Sequence, residues 1–464
     1  MSHRTPAPIL LLGLVGGCFS PEALDSVETD GAAEGGASET SPTSGGTTST
    51  DDPTEGASTD SPTTSADPTT GPDPTVGESE TGFGGDCTDS SECDMGVCAN
   101  MECVPCGDAR DPDAACAMAD SNTPVCAADG TCVACTPNSC GGSTPACDPE
   151  VGCVACTEHS QCPDSACHLG GPDQGSCFDT ADVVEVSDAN ELDAALEGAG
   201  SGGQLVVHLS SGTFDYTGYP AFYYQEGVTP QEIAFIGNNT TITGGATSLI
   251  FAPPLFYVSD VEFSEGPGRA ISCADAFEVW IDASSFDGYG TAILGCNLRM
   301  RRSQVRGAPG AVSFGATIEA ASLIATNSDL GPSGDPLLHV TGELDLRYVT
   351  MVGNTLGLDC DNTTEGDFRN SIMLNGGNSV QGCYQVGFSN NAHDQPGQGL
   401  GGTTIDGYDP TWFVISGPSR FILSTSGQEV FADVADWDEG DPLLDIEGDP
   451  RPTDMPGYPG VDEP

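Results

Sequence analysis

Residues 270–282 read Ala-Ile-Ser-Cys-Ala-Asp-Ala-Phe-Glu-Val-Trp-Ile-Asp, and residues 292–301 read Ala-Ile-Leu-Gly-Cys-Asn-Leu-Arg-Met-Arg. Each stretch sets a short apolar run before a cysteine, and then an alternating strand. The theme spreads outward in both directions. Short strands begin near Phe277, Leu298, Ile318, Leu344 and Phe368, in steps of 21, 20, 26 and 24 residues. A second register runs beside them through Ala270-Ile271-Ser272-Cys273, Ala292-Ile293-Leu294, Ala311-Val312-Ser313-Phe314, Leu337-Leu338-His339-Val340, Gly357-Leu358-Asp359-Cys360 and Val380-Gln381-Gly382-Cys383. A repeat of this length with two aligned apolar strands is one coil of a β-solenoid. No coil buries its own apolar face, so coils must stack.

The cysteines in this half fit the same period. Cys273 and Cys296 are 23 residues apart, as are Cys360 and Cys383. Stacked strands lie about 4.8 Å apart, within the roughly 4.4–6.8 Å between the Cα atoms of a disulfide. Cys273–Cys296 and Cys360–Cys383 are therefore expected as rung-to-rung staples.

The composition changes at Asp182, where Val, Ile, Leu and Phe begin to recur in short runs. A strand, Val183-Val184-Glu185-Val186, precedes a predicted helix. Asp188 can cap it and Glu191 completes a capping-box-like pattern. Leu192, Ala195, Leu196 and Ala199 share one helix face. Strands follow at 204–209, 233–236 and 241–243. This order resembles the entry of pectate-lyase-like right-handed parallel β-helix proteins, where an amphipathic helix covers the open end of the coil. The segments Asp441-Pro442-Leu443 and Asp445-Ile446-Glu447-Gly448-Asp449-Pro450-Arg451-Pro452 are similar to the tail of bacterial envelope β-helix proteins. The resemblance spans 178–464. It implies an all-β fold and makes a polysaccharide the natural ligand.

Sixteen of the 21 cysteines fall between Cys87 and Cys177. They form four groups of four: Cys87/93/98/103, Cys106/116/126/132, Cys135/140/147/153 and Cys156/162/167/177. Cys-x-x-Cys steps join neighbouring groups. Each unit has almost no aliphatic or aromatic core, so disulfides must replace one. Zinc is the alternative reading of paired Cys-x-x-Cys steps. The even count and an oxidising, exported setting favour disulfides. The arrangement resembles tandem Cys-rich repeats of bacterial surface lipoproteins, which implies a stalk over 87–177.

The start of the chain supplies the export signal. His3 and Arg4 precede an apolar run from Ile9 to Val15, followed by Val15-Gly16-Gly17-Cys18. This is similar to the bacterial lipoprotein signal. The resemblance implies cleavage after residue 17 and a lipid on Cys18, which would then be the odd thiol out. Residues 18–86 are almost entirely Ser, Thr, Gly, Pro, Asp, Glu and Ala, too polar to form a core. They are expected to be a disordered tether that lifts the folded part from the membrane. No later segment has the roughly 20 apolar residues of a spanning helix, so the lipid would be the only membrane contact.

The chain carries 70 Asp and Glu against 11 basic residues, all Arg, for a net charge of −59. Nucleic acid and anionic lipid are therefore poor partners, whereas weak binding of Ca²⁺ or another hard cation is plausible chemistry. A lyase needs acids holding Ca²⁺ beside an Arg or Lys base. Val279-Trp280-Ile281-Asp282 resembles a pectate-lyase motif, but Ala283 stands where that motif has His. Arg299, Arg301, Arg302 and Arg306 form the one basic patch. Strand alternation sets Arg299 and Arg301 on one face and Arg302 on the other. They would either recognise an acidic sugar or pair with acids of neighbouring coils. A hydrolase needs two opposed carboxylates. Asp359 and Asp361, on the same side of a strand, are the weak candidates. They lack the partner motifs of β-helix hydrolases, which favours reading them as turn residues or a weak cation site. The six histidines form no metal-spaced cluster, and no Gly-x-Ser-x-Gly motif is present. The sequence thus leads to an exported, outer-membrane-anchored and monomeric display protein, non-catalytic, binding a glycan or a cell surface. A polysaccharide lyase or glycoside hydrolase with a divergent site, and a purely structural envelope component, are the alternatives.

Overall fold

The computed structural model describes residues 86–464, apart from 89, 94–95, 137, 149–150, 201–202, 217–221, 245–247, 267, 275–276, 307–316, 332–336, 354–355, 375–379, 396–398 and 417–419. The signal segment, Cys18 and the tether up to residue 85 lie outside the described residues. Residues 77–464 form one compact unit. Among the described residues no helix is long and apolar enough to cross a membrane.

The chain forms a parallel β-solenoid of about eight turns. Three stacks of short strands make its faces. The first face stacks 204–208, 232–236, 255–259, 278–282, 297–301, 322–326, 343–347, 365–369 and 385–389. The second begins at Gly212–Tyr216 and ends at Gly402–Thr404. The third runs from Phe222–Tyr223 to Val380–Gln381. Alternation along each strand sends every second side chain inward. On the first face Ile233, Phe256, Val279, Leu298, Leu323 and Leu344 therefore form one column, each 0% exposed. Ile250, Ile271, Ile293, Ile318, Leu338 and Leu358 form another from the third face, also at 0%. Burying one such side chain is worth about 1.5–3 kcal/mol, so the stack gains stability coil by coil.

The corner between the first and second faces has a fixed device. One residue per coil is left-handed: Asn239, Asp260, Ala283, Arg302, Asn327, Tyr348, Asn370 and Asn390, with φ between 46° and 57°. Asn and Asp accept this conformation readily, and other side chains do so at a cost of about 1–2 kcal/mol. The bend interrupts the strand ladder, and side chains from the next coil take up the freed N–H groups. Ser284 Oγ accepts from Val261 N, Ser303 Oγ from Ser284 N, Ser371 Oγ from Val349 N, and Asn391 Oδ1 from Ser371 N, at 3.0–3.2 Å.

Cys273–Cys296 and Cys360–Cys383 are disulfides with Cα–Cα distances of 5.1 and 4.9 Å, and each joins one coil to the next. The preceding Gly295 and Gly382 have φ of +76° and +78°. A Cβ on Gly382 would collide with the Cys360 carbonyl, so glycine is what allows the turn into this staple. The helix Ala189–Gly198 buries Leu192 and Leu196 against the first coil, and Asp188 caps it through Asn190 N and Glu191 N.

Two details of the expected register change. Ile318 stacks on Ile293 in the third face, and the first-face rung of that coil starts at Ser322. Phe368 lies under Leu346, while Gly366 occupies the column of Leu344. Both faces use the same short apolar words, so period alone does not separate them. Ala311-Val312-Ser313-Phe314, assigned to the second register, lies outside the described residues.

In each cysteine-rich unit the first cysteine bonds the third and the second bonds the fourth: Cys87–Cys98 and Cys93–Cys103, Cys106–Cys126 and Cys116–Cys132, Cys135–Cys147 and Cys140–Cys153, Cys156–Cys167 and Cys162–Cys177. The third and fourth cysteines face each other across an antiparallel pair, and each bonds back to the preceding loop. The sulfurs clustered within 4.8 Å in every unit are these crossed disulfides, so they hold no thiolate for zinc.

After the last coil, Phe413–Ser416 and Arg420–Leu423 form a hairpin that leads to the helix Thr425–Phe431. Phe413, Leu423 and Phe431 cover Val352, Ile372, Leu374 and Ala392 on the outside of the second face. The final segment straps the left-handed corner. Asn370 Nδ2 donates to Asp436 O and Asp441 Oδ2 at 2.8 and 3.1 Å, and Arg369 pairs with Asp441 at 2.6 Å. Arg451 lies 4.0 Å over the Tyr348 ring and donates to Asn327 Oδ1 at 3.1 Å.

Two measurements follow. Ser371→Ala leaves the Val349 N–H without its acceptor in a fully buried corner, and should cost about 1–3 kcal/mol in urea unfolding. Burial first, and then the nearby Asp445 and Glu447, push the Asp462 carboxyl up to about 6. An acid raised in the folded state binds more protons there, so its contribution is complete below about pH 4 and is lost as pH rises through 6. Asp462→Asn should therefore raise the melting temperature at pH 7.5, and the gain should vanish by pH 4.

Candidate functional site

The sequence reading sets the cysteine-rich repeats apart as a stalk. The fourth unit instead lies against the first face of the solenoid. Ala166, Leu169 and Phe178 pack on the outward column Val206, Ala234, Tyr257 and Trp280. The approach is close enough to require glycine. A Cβ on Gly170 would stand 2.8 Å from both Glu278 Oε1 and Trp280 Nε1, and one on Gly171 would stand 2.9 Å from Leu255 Cδ2.

Polar groups lock this contact. His168 Nδ1 is 2.7 Å from Glu232 Oε1, with its ring stacked on Phe178 at 3.7 Å. Glu232 Oε2 accepts from Gln204 Nε2 at 2.8 Å. The Tyr257 hydroxyl donates to Glu232 Oε1 at 2.9 Å, and burial first, then the Glu232 charge, push its pKa up. His208 Nε2 reaches the Ser165 carbonyl at 3.2 Å.

Beyond the fourth unit the first face is open. Its exposed outward side chains there include Asn297, Arg299, Glu343, Glu365, Asp367 and Gln385, and the coil between Arg299 and Glu343 presents the half-buried Ser322 and Ile324. At the boundary Trp280 Nε1 donates to Glu278 Oε1 at 2.7 Å, and the Arg299 guanidinium lies 4.9 Å over the Trp280 ring. Arg299 is the candidate arginine that keeps an open side. The corner strap bounds the far edge of this strip, where Arg347 donates to Gly440 O at 3.0 Å.

The other three arginines of the patch are committed. Arg301 and Arg302 both hold Asp282, whose carboxylate lies 2.7 Å from each guanidinium and is 2% exposed as a residue. Arg302 does not point away from Arg301, as alternation predicts. It occupies the left-handed corner, so its side chain returns to the same carboxylate. Burial alone would raise the Asp282 carboxyl, but the hydrogen bonds and charges of Arg302 and Arg301 outweigh it and hold it below the usual range. Arg306 is buried, 3.8 Å from Asp329 and bonded to Gln304.

Asp282 therefore clamps two arginines between consecutive coils. Ala283, where the lyase motif has His, is a left-handed corner residue. Asp359 lies on the third face, paired with His339 at 3.0 Å. Its strand ends at Cys360, so Asp361 belongs to the following turn rather than to the same strand side. The structure thus brings Asp282 together with Arg301 and Arg302, and leaves Asp359 and Asp361 on another face. Tyr257, Glu232 and His168 were not legible as a site, because the contact joins residues 64 apart through a docking event that no local pattern encodes.

Residues 73–183 match the model of a family of unknown function (DUF8331). The match covers the cysteine-rich units and stops at the first strand of the solenoid region. No curated protein matches the chain.

Asp282→Asn should destabilise the fold by roughly 3 kcal/mol in chemical denaturation, because it leaves two arginines without a counter-charge. In the unaltered protein this contribution should persist above pH 4 and fall away as acid titrates the depressed carboxyl.

Proposed function

We propose that this chain is a non-catalytic display protein, lipid-anchored at Cys18 and exposed on the outer membrane. Its solenoid would bind an extracellular glycan or a neighbouring cell surface along the open strip of the first face. The strip itself carries the reading. Its successive coils, about 4.8 Å apart, offer Asn297 and Arg299, then Ser322 and Ile324, then Glu343, then Glu365 and Asp367, then Gln385. Such a ladder of donors and acceptors matches a linear polymer with hydroxyls at regular intervals. Arg299, stacked on the half-buried Trp280 ring at its upper end, supplies a cation. The acids along the strip favour a neutral polymer over an acidic one. The non-catalytic part of the reading is supported by Asp282, whose two oxygens are held by arginines. The pectate-lyase-like resemblance supplies the glycan as ligand class. The first units, each held by two crossed disulfides, would form a short rod between the anchor and the solenoid.

The test uses the mature oxidised chain and a panel of immobilised neutral and acidic polysaccharides. Binding to a neutral polymer that Arg299→Ala and Glu343→Ala weaken several-fold, with no new reducing ends and no unsaturated uronate absorbance, supports the proposal. Heat-labile product from any polymer overturns the non-catalytic reading. In cells, Cys18→Ala should move the protein from the membrane to the soluble fraction; unchanged fractionation overturns the anchor.

A further inference from the structure

We propose that the fourth cysteine-rich unit is an acid-released cover on the first face of the solenoid, with His159 as its trigger. His159 stands at the inner side of this unit and is 6% exposed. Its Nδ1 accepts a hydrogen bond from the Cys167 N–H at 3.2 Å. The neutral ring must then carry its proton on Nε2, and that atom is buried with no hydrogen-bond partner. A second proton would turn Nδ1 into a donor aimed at another donor, the Cys167 N–H. It would also place a full charge in a site walled by Tyr257, whose ring meets His159 edge-on at 5.9 Å.

The charged and titratable groups around this site belong to both partners. His168 and Glu158 come from the repeat; Glu232, Tyr257, Asp282, Arg301 and Arg302 come from the solenoid. Asp282 favours a protonated His159, and Arg301 and His168 oppose it. Burial is the largest influence and holds the His159 pKa down to about 4. His168 differs in kind, because its Nδ1 already faces the Glu232 carboxylate at 2.7 Å. Docking thus requires a neutral His159: the Cys167 bond lies within the unit, and undocking removes the Tyr257 wall and opens Nε2 to water.

A histidine depressed in the docked state contributes fully at high pH. Its contribution falls as pH drops below the free value near 6.5 and levels off below about 4. Between pH 7.5 and pH 5 the opening equilibrium should rise roughly 30-fold. Opening uncovers Val206, Ala234, Tyr257 and Trp280, and lengthens the free strip of the first face toward the capping helix. The crossed disulfides Cys156–Cys167 and Cys162–Cys177 keep the unit itself folded while it moves.

The experiment is hydrogen exchange of the full mature oxidised chain at several pH values, corrected for intrinsic rates and read at the Gly170 amide, which donates across the contact to the Tyr257 hydroxyl. The expected result is a roughly 30-fold gain in opening from pH 7.5 to pH 5, with the later coils unchanged. His159→Gln keeps an acceptor for the Cys167 N–H and cannot take the proton, so its opening should be flat over this range. His168→Gln should open more at every pH and keep the step. A step that persists in His159→Gln, or that is absent from the unaltered chain, overturns the proposal. If His159→Gln fails to form its disulfides, NMR titration of the histidine rings in the unaltered chain takes its place. A His159 ring that titrates near its ordinary value with no change in exchange overturns the proposal equally.

Discussion

Each coil must turn sharply at the same place, and its backbone must still bond the coils above and below. That constraint governs the rest of the molecule. The solution is a single left-handed residue per coil, with a Ser or Asn from the next coil receiving the N–H that the bend leaves over. Asn327, Asn370 and Asn390 adopt this conformation at little cost, whereas Ala283, Arg302 and Tyr348 do so because packing on both sides holds them there. The corner column then becomes a fixed edge, and other parts of the chain attach to it. The C-terminal strap bonds Asn327 and Asn370 directly, and the Asp282 clamp draws on Arg302 from the same column.

The chain is strongly acidic, yet its few cations are not left as an attractive surface. Among the described residues, seven arginines lie within 4 Å of a carboxylate: Arg299, Arg301, Arg302, Arg306, Arg347, Arg369 and Arg451. Several of these pairs are buried, where the loss of one partner costs far more than the pair contributes. They fix which coil lies beside which, and which segment lies on which face. An outward basic patch that reads from sequence as ligand recognition is thus largely internal wiring. Arg299 is the member that still faces outward.

The solenoid's outer surfaces are unequal for the same reason. The hairpin and helix after the last coil cover the last coils of the second face, and the fourth cysteine-rich unit covers the upper part of the first. The remainder of the first face stays open, with its acids in register between neighbouring coils. Such rows of like charge are unfavourable in isolation, and Arg347 relieves one by chelating Asp345 at 2.6 and 2.7 Å. The cover and the strip share one strand stack, so movement of the first changes the length of the second.

The sequence by itself determined the repeat length, the solenoid, the helix at 189–198 and the two coil-to-coil disulfides. All of these follow from local periods, from cap chemistry or from the fixed spacing of stacked strands. It located the four cysteine units but not their crossed pairing, because spacing does not choose among connectivities. It misassigned Ile318 to the wrong face, since the first and third faces use the same apolar words. Only the tertiary structure decided that Asp282 is a clamp, that Arg302 turns back beside Arg301, and that the fourth unit is a cover. Each of these depends on a residue meeting a partner from a distant coil or another unit. Such meetings are set by how whole faces pack, and a periodic pattern carries no record of them.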